Sequence, residues 1–156
     1  MNIDFYLADG EEGARNDSII FWRTILRNPA FDLQERARQV IFQLKQDDQV
    51  VGVSTCDQVR IPQLNNNYFY SYRMLINTRY RYPGLADKLL IETYNYLENR
   101  FINGGSRSIG MLTLVENPQL LKERRELFYR TSKLMFAGYT KTGRQIRLRY
   151  FRGAMI

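Results

Sequence analysis

Arg81-Tyr82-Pro83-Gly84-Leu85-Ala86 is the stretch on which the reading of this chain turns. It follows NYFYSYRMLINT (67–78), aromatic and β-branched enough to form a strand buried on at least one face. It precedes LADKLLIETYNYLENRF (85–101), where Leu85, Leu89, Tyr96 and Leu97 recur at helical spacing. A helix that begins near Gly84 presents free amide hydrogens and a partial positive charge, which together attract phosphate. Gly84 brings no Cβ to an approaching anion, Ala86 brings only a methyl group, and Arg81 adds a guanidinium close by. Those features describe a diphosphate cradle. An ordinary strand-to-helix turn with a glycine for geometry is the competing description.

The residues before this segment read as a series of short elements. NIDFYLA (2–8) alternates like a strand, and Gly10 and Gly13 break the pattern. Asn16 or Asp17 is placed to cap a helix through SIIFWRTILRN (18–28), with Ile19, Trp22, Ile25 and Leu26 on one face and Pro29 as its end. DLQERARQ (32–39) predicts a second helix, with Asp32 as cap and Glu35 as capping-box partner. VIFQLKQDDQVVGVST (40–55) predicts a hairpin about QDDQ, its second arm reaching about Ile61, and QLNNN is a loop.

After the segment, INGGSR is a turn and SIGMLTLV (108–115) a compact strand. Pro118 suits the first position of a helix, which is predicted through QLLKERRELFYRTSKLMF (119–136) and stops near Gly138. Tyr139-Thr140 and QIRLRYF (145–151) form a last two-arm unit with Gly143 in the turn. The order β, α, α, three β, α, β, α, β, β defines an α/β (α+β) chain with a mixed, mostly antiparallel central sheet flanked by helices. A single domain across residues 1–156 is expected at this length.

Composition removes several classes of chemistry. There is no histidine and one cysteine, Cys56, which excludes a His/Cys metal centre, an internal disulfide and any mechanism with a histidine base. No metal is expected, and Cys56 reads as a small buried hydrophobe. No apolar run approaches the roughly 20 residues of a membrane span, and the acidic N-terminus lacks the order of a signal peptide. The expectation is a cytoplasmic protein without a membrane partner. Residues 1–50 hold six basic and nine acidic side chains, residues 51–156 seventeen and seven, and 18 of the 23 basic residues are arginine. A basic second half suits a polyanion, either a phosphorylated cofactor or nucleic acid, or else is a solvated surface.

The segment at 81–86 resembles the acyl-CoA pyrophosphate loop of the GNAT superfamily, whose pattern is Q/R-x-x-G-x-G/A followed by an apolar helix. Arg81, Gly84 and Ala86 match it, Leu89-Leu90 match the apolar pair beyond, and Met74 and Ile76 fill the apolar places of the preceding strand. The order of elements agrees too. The resemblance implies an N-acyltransferase that uses acetyl-CoA or another acyl-CoA and a small-molecule amine or protein amino group, by direct attack on the thioester. It assigns the backbone at Tyr82, Gly84, Leu85 and Ala86 to the pyrophosphate, with Arg81 alongside, and the backbone of Ile76 to the pantetheine arm. Pro83 departs from the ideal, because it has no amide hydrogen to give.

The same resemblance offers catalytic candidates. Asn117 is similar to a family asparagine that contacts the cofactor or orders water; an Asn-Pro helix cap is the equal alternative. Glu116 is a candidate base, or an acid favourably placed near a helix start. The family tyrosine lies four residues before a Gly-Phe-like pair, yet Leu134 stands there relative to Gly138-Tyr139. Tyr129 is the nearest phenol that could act as the acid, or it packs. Tyr68, Tyr70 and Tyr72 share a strand face and favour packing over lining a cleft.

Two other classes compete. One is a GNAT-shaped binding module without catalysis. The other is a basic nucleic-acid-binding protein, not favoured, built on Arg144, Arg147, Arg149 and Arg152, with Arg147 and Arg149 projecting together from one face of the last strand. The oligomeric state is left open.

Overall fold

The computed structural model describes residues 2–156, and the two-residue turn Asp47–Asp48 sets the register of the first part of its sheet. Both aspartates have positive φ (49° and 64°), the conformation whose twist matches a hairpin. They join β2 (Val40–Gln46) to β3 (Gln49–Ile61) in an antiparallel ladder that starts at Gln46↔Gln49. β1 (Asp4–Leu7) pairs antiparallel with the other edge of β2. Asn65 and Asn66 repeat the left-handed pair (φ 58° and 56°) before β4 (Asn67–Ile76).

Helix α3 (Leu85–Ile102) then carries the chain to β5 (Ser108–Val115), which pairs with β4 in parallel. β7 (Gln145–Tyr150) pairs antiparallel with β5, and β6 (Met135–Tyr139) antiparallel with β7. The result is a seven-stranded mixed, mostly antiparallel sheet in the order β1-β2-β3-β4-β5-β7-β6. The remaining helices are α1 (Glu12–Ile25), α2 (Leu33–Ala37) and α4 (Pro118–Glu123). The succession of helices and strands is the one read from the sequence.

By its contacts the chain divides into two compact units. The first runs to Cys56 and takes in Arg73–Thr93; the second holds Asp57–Tyr72 and Tyr94–Ile156.

In the first unit, Ala14, Ile19, Phe21 and Trp22 of α1 pack with Ala37, Val40 and Val53, and Trp22 meets Phe31 edge-on at 5.6 Å. Fully buried Gln43 fastens β2 to α1, its Nε2 donating to the Ala14 carbonyl (2.8 Å) and Ser18 Oγ (2.9 Å). A buried hydroxyl pair, Ser54 and Thr93 at 2.9 Å, joins β3 to the first half of α3. Elements on both sides explain why 40–44 and 51–56 are continuous buried runs rather than alternating ones.

Two helix details differ from expectation. α1 begins at Glu12, so Asn16 and Asp17 lie inside it. The cause is Gly10, whose φ of 80° turns the chain out of β1 and lets Arg15 N bond to the Glu11 carbonyl (3.1 Å). At α2, Asp32 caps the Glu35 amide (3.0 Å) as predicted, but the Glu35 carboxylate turns to Arg38 (3.4 Å) instead of completing a capping box.

The second unit is centred on Phe69, Ile109, Leu112, Ile146 and Leu148. Phe151 adds an aromatic cluster, its ring 5.3 Å from Tyr94, 5.6 Å from Phe101 and 6.1 Å from Tyr70. Tyr70 donates to Ser106 Oγ (2.7 Å) and the Arg107 guanidinium lies 3.8 Å over the Tyr68 ring, so these phenols pack.

The segment after Pro118 departs furthest from expectation. The long helix after Pro118 ends at Glu123, and 135–139 is strand β6. The reason is Arg147, which is 1% exposed. Its Nη1 donates to the Glu126 carbonyl, its Nε to Gln145 Oε1 (2.9 Å), and its guanidinium lies 4.0 Å from the Tyr129 ring. A helix through Glu126 would direct that carbonyl to its own amide ladder and leave a buried cation short of an acceptor. The chain instead folds around Arg147, with Lys133 at φ 62° and Tyr129 and Leu134 bonded across the turn (2.9 Å).

The expected arginine face of the last strand is corrected with it. Arg147 is buried, and the Arg149 guanidinium lies 3.8 Å over the Tyr94 ring and 3.4 Å from the Ser132 carbonyl.

Candidate active site

β4 delivers the chain to the predicted phosphate loop, and its residues from Arg73 onward belong to the first unit. The parallel ladder of β4 with β5 ends at Ser71↔Leu112, and β4 continues through Arg73 to Ile76. Asn77 N bonds to the Val51 carbonyl (2.8 Å), which anchors this end on β3. Ile76 is 1% exposed. A Cβ on Gly52 would come 2.8 Å from Leu44 Cδ1 and 3.3 Å from Ile76 Cγ1, so the glycine lets β3 sit close beneath it.

A 3-10 turn at Thr78–Tyr80, not anticipated from sequence, then reverses the chain. The Asn77 side chain builds it, accepting from Arg79 N (3.1 Å), while Tyr80 N bonds to the Asn77 carbonyl (2.8 Å). The reversal brings Arg81 back onto β4, where its Nε donates to the Ile76 carbonyl (3.0 Å). That carbonyl is the group the resemblance assigned to pantetheine.

Residues 81–84 are exposed and Leu85 is buried at 1%, fixing the helix start while its first turn stays open. Gly84 has φ 88°, a conformation L side chains rarely adopt, and nothing lies within 4 Å of where its Cβ would stand. Leu85 N donates to the Tyr82 carbonyl (3.2 Å) and Lys88 N to the Gly84 carbonyl (2.9 Å). The amides of Tyr82, Gly84 and Ala86 have no acceptor among the described residues. Open donors at the head of an 18-residue helix fit an anion of diphosphate size, with Arg81 within reach.

The second unit holds the other candidates. Asn117 Oδ1 accepts from Gln119 N (2.9 Å), the cap geometry at the start of α4. Tyr129 is 7% exposed and donates its proton to the Arg124 carbonyl (3.1 Å), its ring lying between the Arg124 and Arg147 guanidiniums at 4.2 and 4.0 Å. Glu116 lies at the end of β5 and, with Val115, Leu121, Gly143 and Arg144, lines an open cavity of about 450 Å³. Glu116 Oε1 and Arg144 Nη1 are 2.8 Å apart. The β6–β7 turn presents Arg144: Gly143 has φ 85°, and Thr140 Oγ1 accepts from Arg144 N (3.1 Å). The structure thus brings Ile76, Arg81, Tyr82, Gly84, Leu85 and Ala86 together, and separately brings Glu116 and Asn117 together. Tyr129 does not line the Glu116 cavity. Arg144 is the partner that sequence reasoning missed, since 28 residues separate it from Glu116.

One perturbed pair stands in the second unit. The Tyr94 hydroxyl is 2.6 Å from Glu98 Oε2 and 2.7 Å from the Tyr150 carbonyl, one proton between two acceptors. Burial, seconded by Glu98, pushes the Tyr94 phenol well above its ordinary value. Burial works against the Glu98 carboxylate, but the Tyr94 hydroxyl, the Arg152 amide (3.0 Å) and two arginine charges hold it below the usual range. This pair ties α3 to the end of β7.

The arrangement defines a class: the chain has the fold of the GNAT acyl-CoA N-acyltransferases. Three solved structures illustrate it. An acetyltransferase of GNAT family from Streptococcus pneumoniae has a TM-score of 0.57 at 13% identity, covering 94% of this chain and 96% of that one. A ribosomal-protein-alanine N-acetyltransferase from Brucella melitensis gives 0.61 at 12% identity, over 96% and 99% of the two chains. Arabidopsis thaliana NAA60 in complex with acetyl-CoA gives 0.57 at 13%, over 97% and 100%. No protein-family model and no curated protein matches the sequence. No helix among the described residues is long and apolar enough to cross a membrane.

Proposed function

We propose that this protein is an acyl-CoA-dependent N-acyltransferase, with acetyl-CoA as donor and an amine as acceptor. The observation that carries the reading is the exposed Gly84 turn, with its open amides at Tyr82, Gly84 and Ala86, on a chain with this fold. In the reaction the amine nitrogen bonds to the thioester carbonyl carbon and the C–S bond breaks. The thiolate leaves, and the proton lost by the amine passes to a base. Glu116 is our choice of base, an exposed carboxylate that lines an open cavity beside Arg144. The loop binds and orients the donor; Arg81 exchanges the Ile76 carbonyl for the diphosphate.

A second reading, a catalytically degenerate binding module, draws on Tyr129. Its hydroxyl is buried and committed to a backbone carbonyl, which leaves no phenol assigned to protonate the thiolate. The two readings separate in one experiment. Thermal unfolding with acetyl-CoA at 100 times Kd gains about 2.7 kcal/mol in both, and release of free CoA thiol with an amine panel occurs in the first alone. Absence of any shift with acetyl-CoA or longer acyl-CoAs removes both.

A further inference from the structure

The cavity at the end of β5 points to the acceptor's chemistry, an inference that rests on the acyl-transfer reading. Its walls are of two kinds: Val115 and Leu121 are apolar, while Glu116 and Arg144 supply one negative and one positive charge, in contact at 2.8 Å. The pair is not a buried structural bridge, since the two side chains are 61% and 45% exposed. Opening such a surface pair costs little. A ligand that is only cationic would satisfy Glu116 and leave Arg144 beside it unpaired, with like charge close by. A ligand that is only anionic would do the reverse. A zwitterion satisfies both, replacing one internal pair by two without changing the charge of the site.

Arg144 is also held for such a role. Its backbone amide is fixed by Thr140 Oγ1 (3.1 Å), and Gly143 takes a positive φ to make the turn. Its Nε is 3.4 Å from Thr142 Oγ1, so the guanidinium is steered toward Glu116 from its own loop. The pocket is shallow and broadly open to solvent, and its volume of about 450 Å³ admits a small molecule. We propose that it takes a free aliphatic α-amino acid: carboxylate on Arg144, ammonium on Glu116, side chain against Val115 and Leu121. The ammonium then lies on the carboxylate proposed to receive its proton.

The test uses the full chain and three matched probes: L-leucine, 3-methylbutylamine, which lacks the carboxylate, and 4-methylpentanoate, which lacks the amine. Calorimetric titration reads binding directly, and acetylation of leucine with saturating acetyl-CoA reads KM. Leucine is expected to bind at least tenfold more tightly than either relative. Arg144→Gln and Glu116→Gln should each weaken leucine about ten- to a hundredfold, the usual range for one charge-assisted bond. The acetyl-CoA thermal shift should be unchanged in both variants. Amine and leucine binding equally, with no change in Arg144→Gln, overturns the proposal. So does tighter amine binding in Arg144→Gln, which would mark a site for plain cations. A missing acetyl-CoA shift sinks the acyl-transfer reading alone, because leucine binding is measured without the donor.

Discussion

Replacing Gly84 by aspartate asks the phosphate loop the sharpest question. The φ of 88° is unfavourable for any L residue, at about 1–2 kcal/mol. Aspartate tolerates the left-handed region better than most, and a negative charge at a helix start returns about 0.3–1 kcal/mol. The new Cβ meets nothing within 4 Å, so no packing is lost. The ligand-free variant should therefore melt only a few degrees lower, at about 2–4 °C per kcal/mol. Binding is another matter. A carboxylate about 5 Å from one diphosphate charge, at an effective dielectric of about 20, repels it by about 3 kcal/mol, or more than a hundredfold. At an acetyl-CoA concentration 100 times the wild-type Kd, the wild type gains about 2.7 kcal/mol, or about 5–11 °C. The variant should gain about 0.4 kcal/mol or less, about 1–2 °C. Differential scanning fluorimetry reads both, with Gly84→Ala as the strain-only control. A variant that melts slightly low yet keeps the full shift would refute the cradle.

Three further outcomes follow from the second unit. Tyr129→Phe should leave kcat unchanged while costing about 1 kcal/mol in urea unfolding for the bond to Arg124; a large fall in kcat at unchanged stability would restore the phenol as the acid. Arg147→Met should cost about 2–5 kcal/mol by orphaning the Glu126 and Gln145 oxygens and removing the stack on Tyr129. Arg147→Lys should rescue it poorly, for want of a planar fork, and full rescue would contradict that account. The Tyr94–Glu98 pair contributes to both limbs of the stability-versus-pH curve. Tyr94 is raised on folding, so its contribution is whole below the unfolded phenol value, about 10, and is lost as pH climbs through the folded one. Glu98 is lowered, so its contribution is present above the unfolded carboxyl value and lost as pH falls through the folded one. Tyr94→Phe should make the alkaline limb shallower, and an unaltered limb would show that the pair does not contribute to it.

The strands other than β6, the first hairpin turn and α3 were legible because each is specified locally. Asp47–Asp48 makes the hairpin turn that the polar QDDQ stretch suggested, and 108–115 is the strand its apolar run announced. The turn at Gly84 was legible for the same reason, as Gly84 and the helix after it are neighbours in the chain. What escaped depends on contacts distant in sequence. The periodicity of 119–136 suits a helix, but Arg147, 21 residues beyond Glu126, claims that carbonyl from inside the fold. Nothing local marks Arg147 as buried on a strand where Arg149 looks its equal. The same holds for Arg144 and Glu116 across the cavity mouth, and for the Arg81 contact with Ile76, which requires the unforeseen 3-10 turn.

The backbone amides at the head of α3 are proposed to hold a diphosphate, and amide resonances report on them individually. In a two-dimensional nitrogen–proton spectrum titrated with coenzyme A, the largest shifts should fall on Tyr82, Gly84 and Ala86, with the Arg81 Nε–H signal moving as it leaves the Ile76 carbonyl. Coenzyme A that leaves these signals in place, or shifts another region instead, would contradict that proposal.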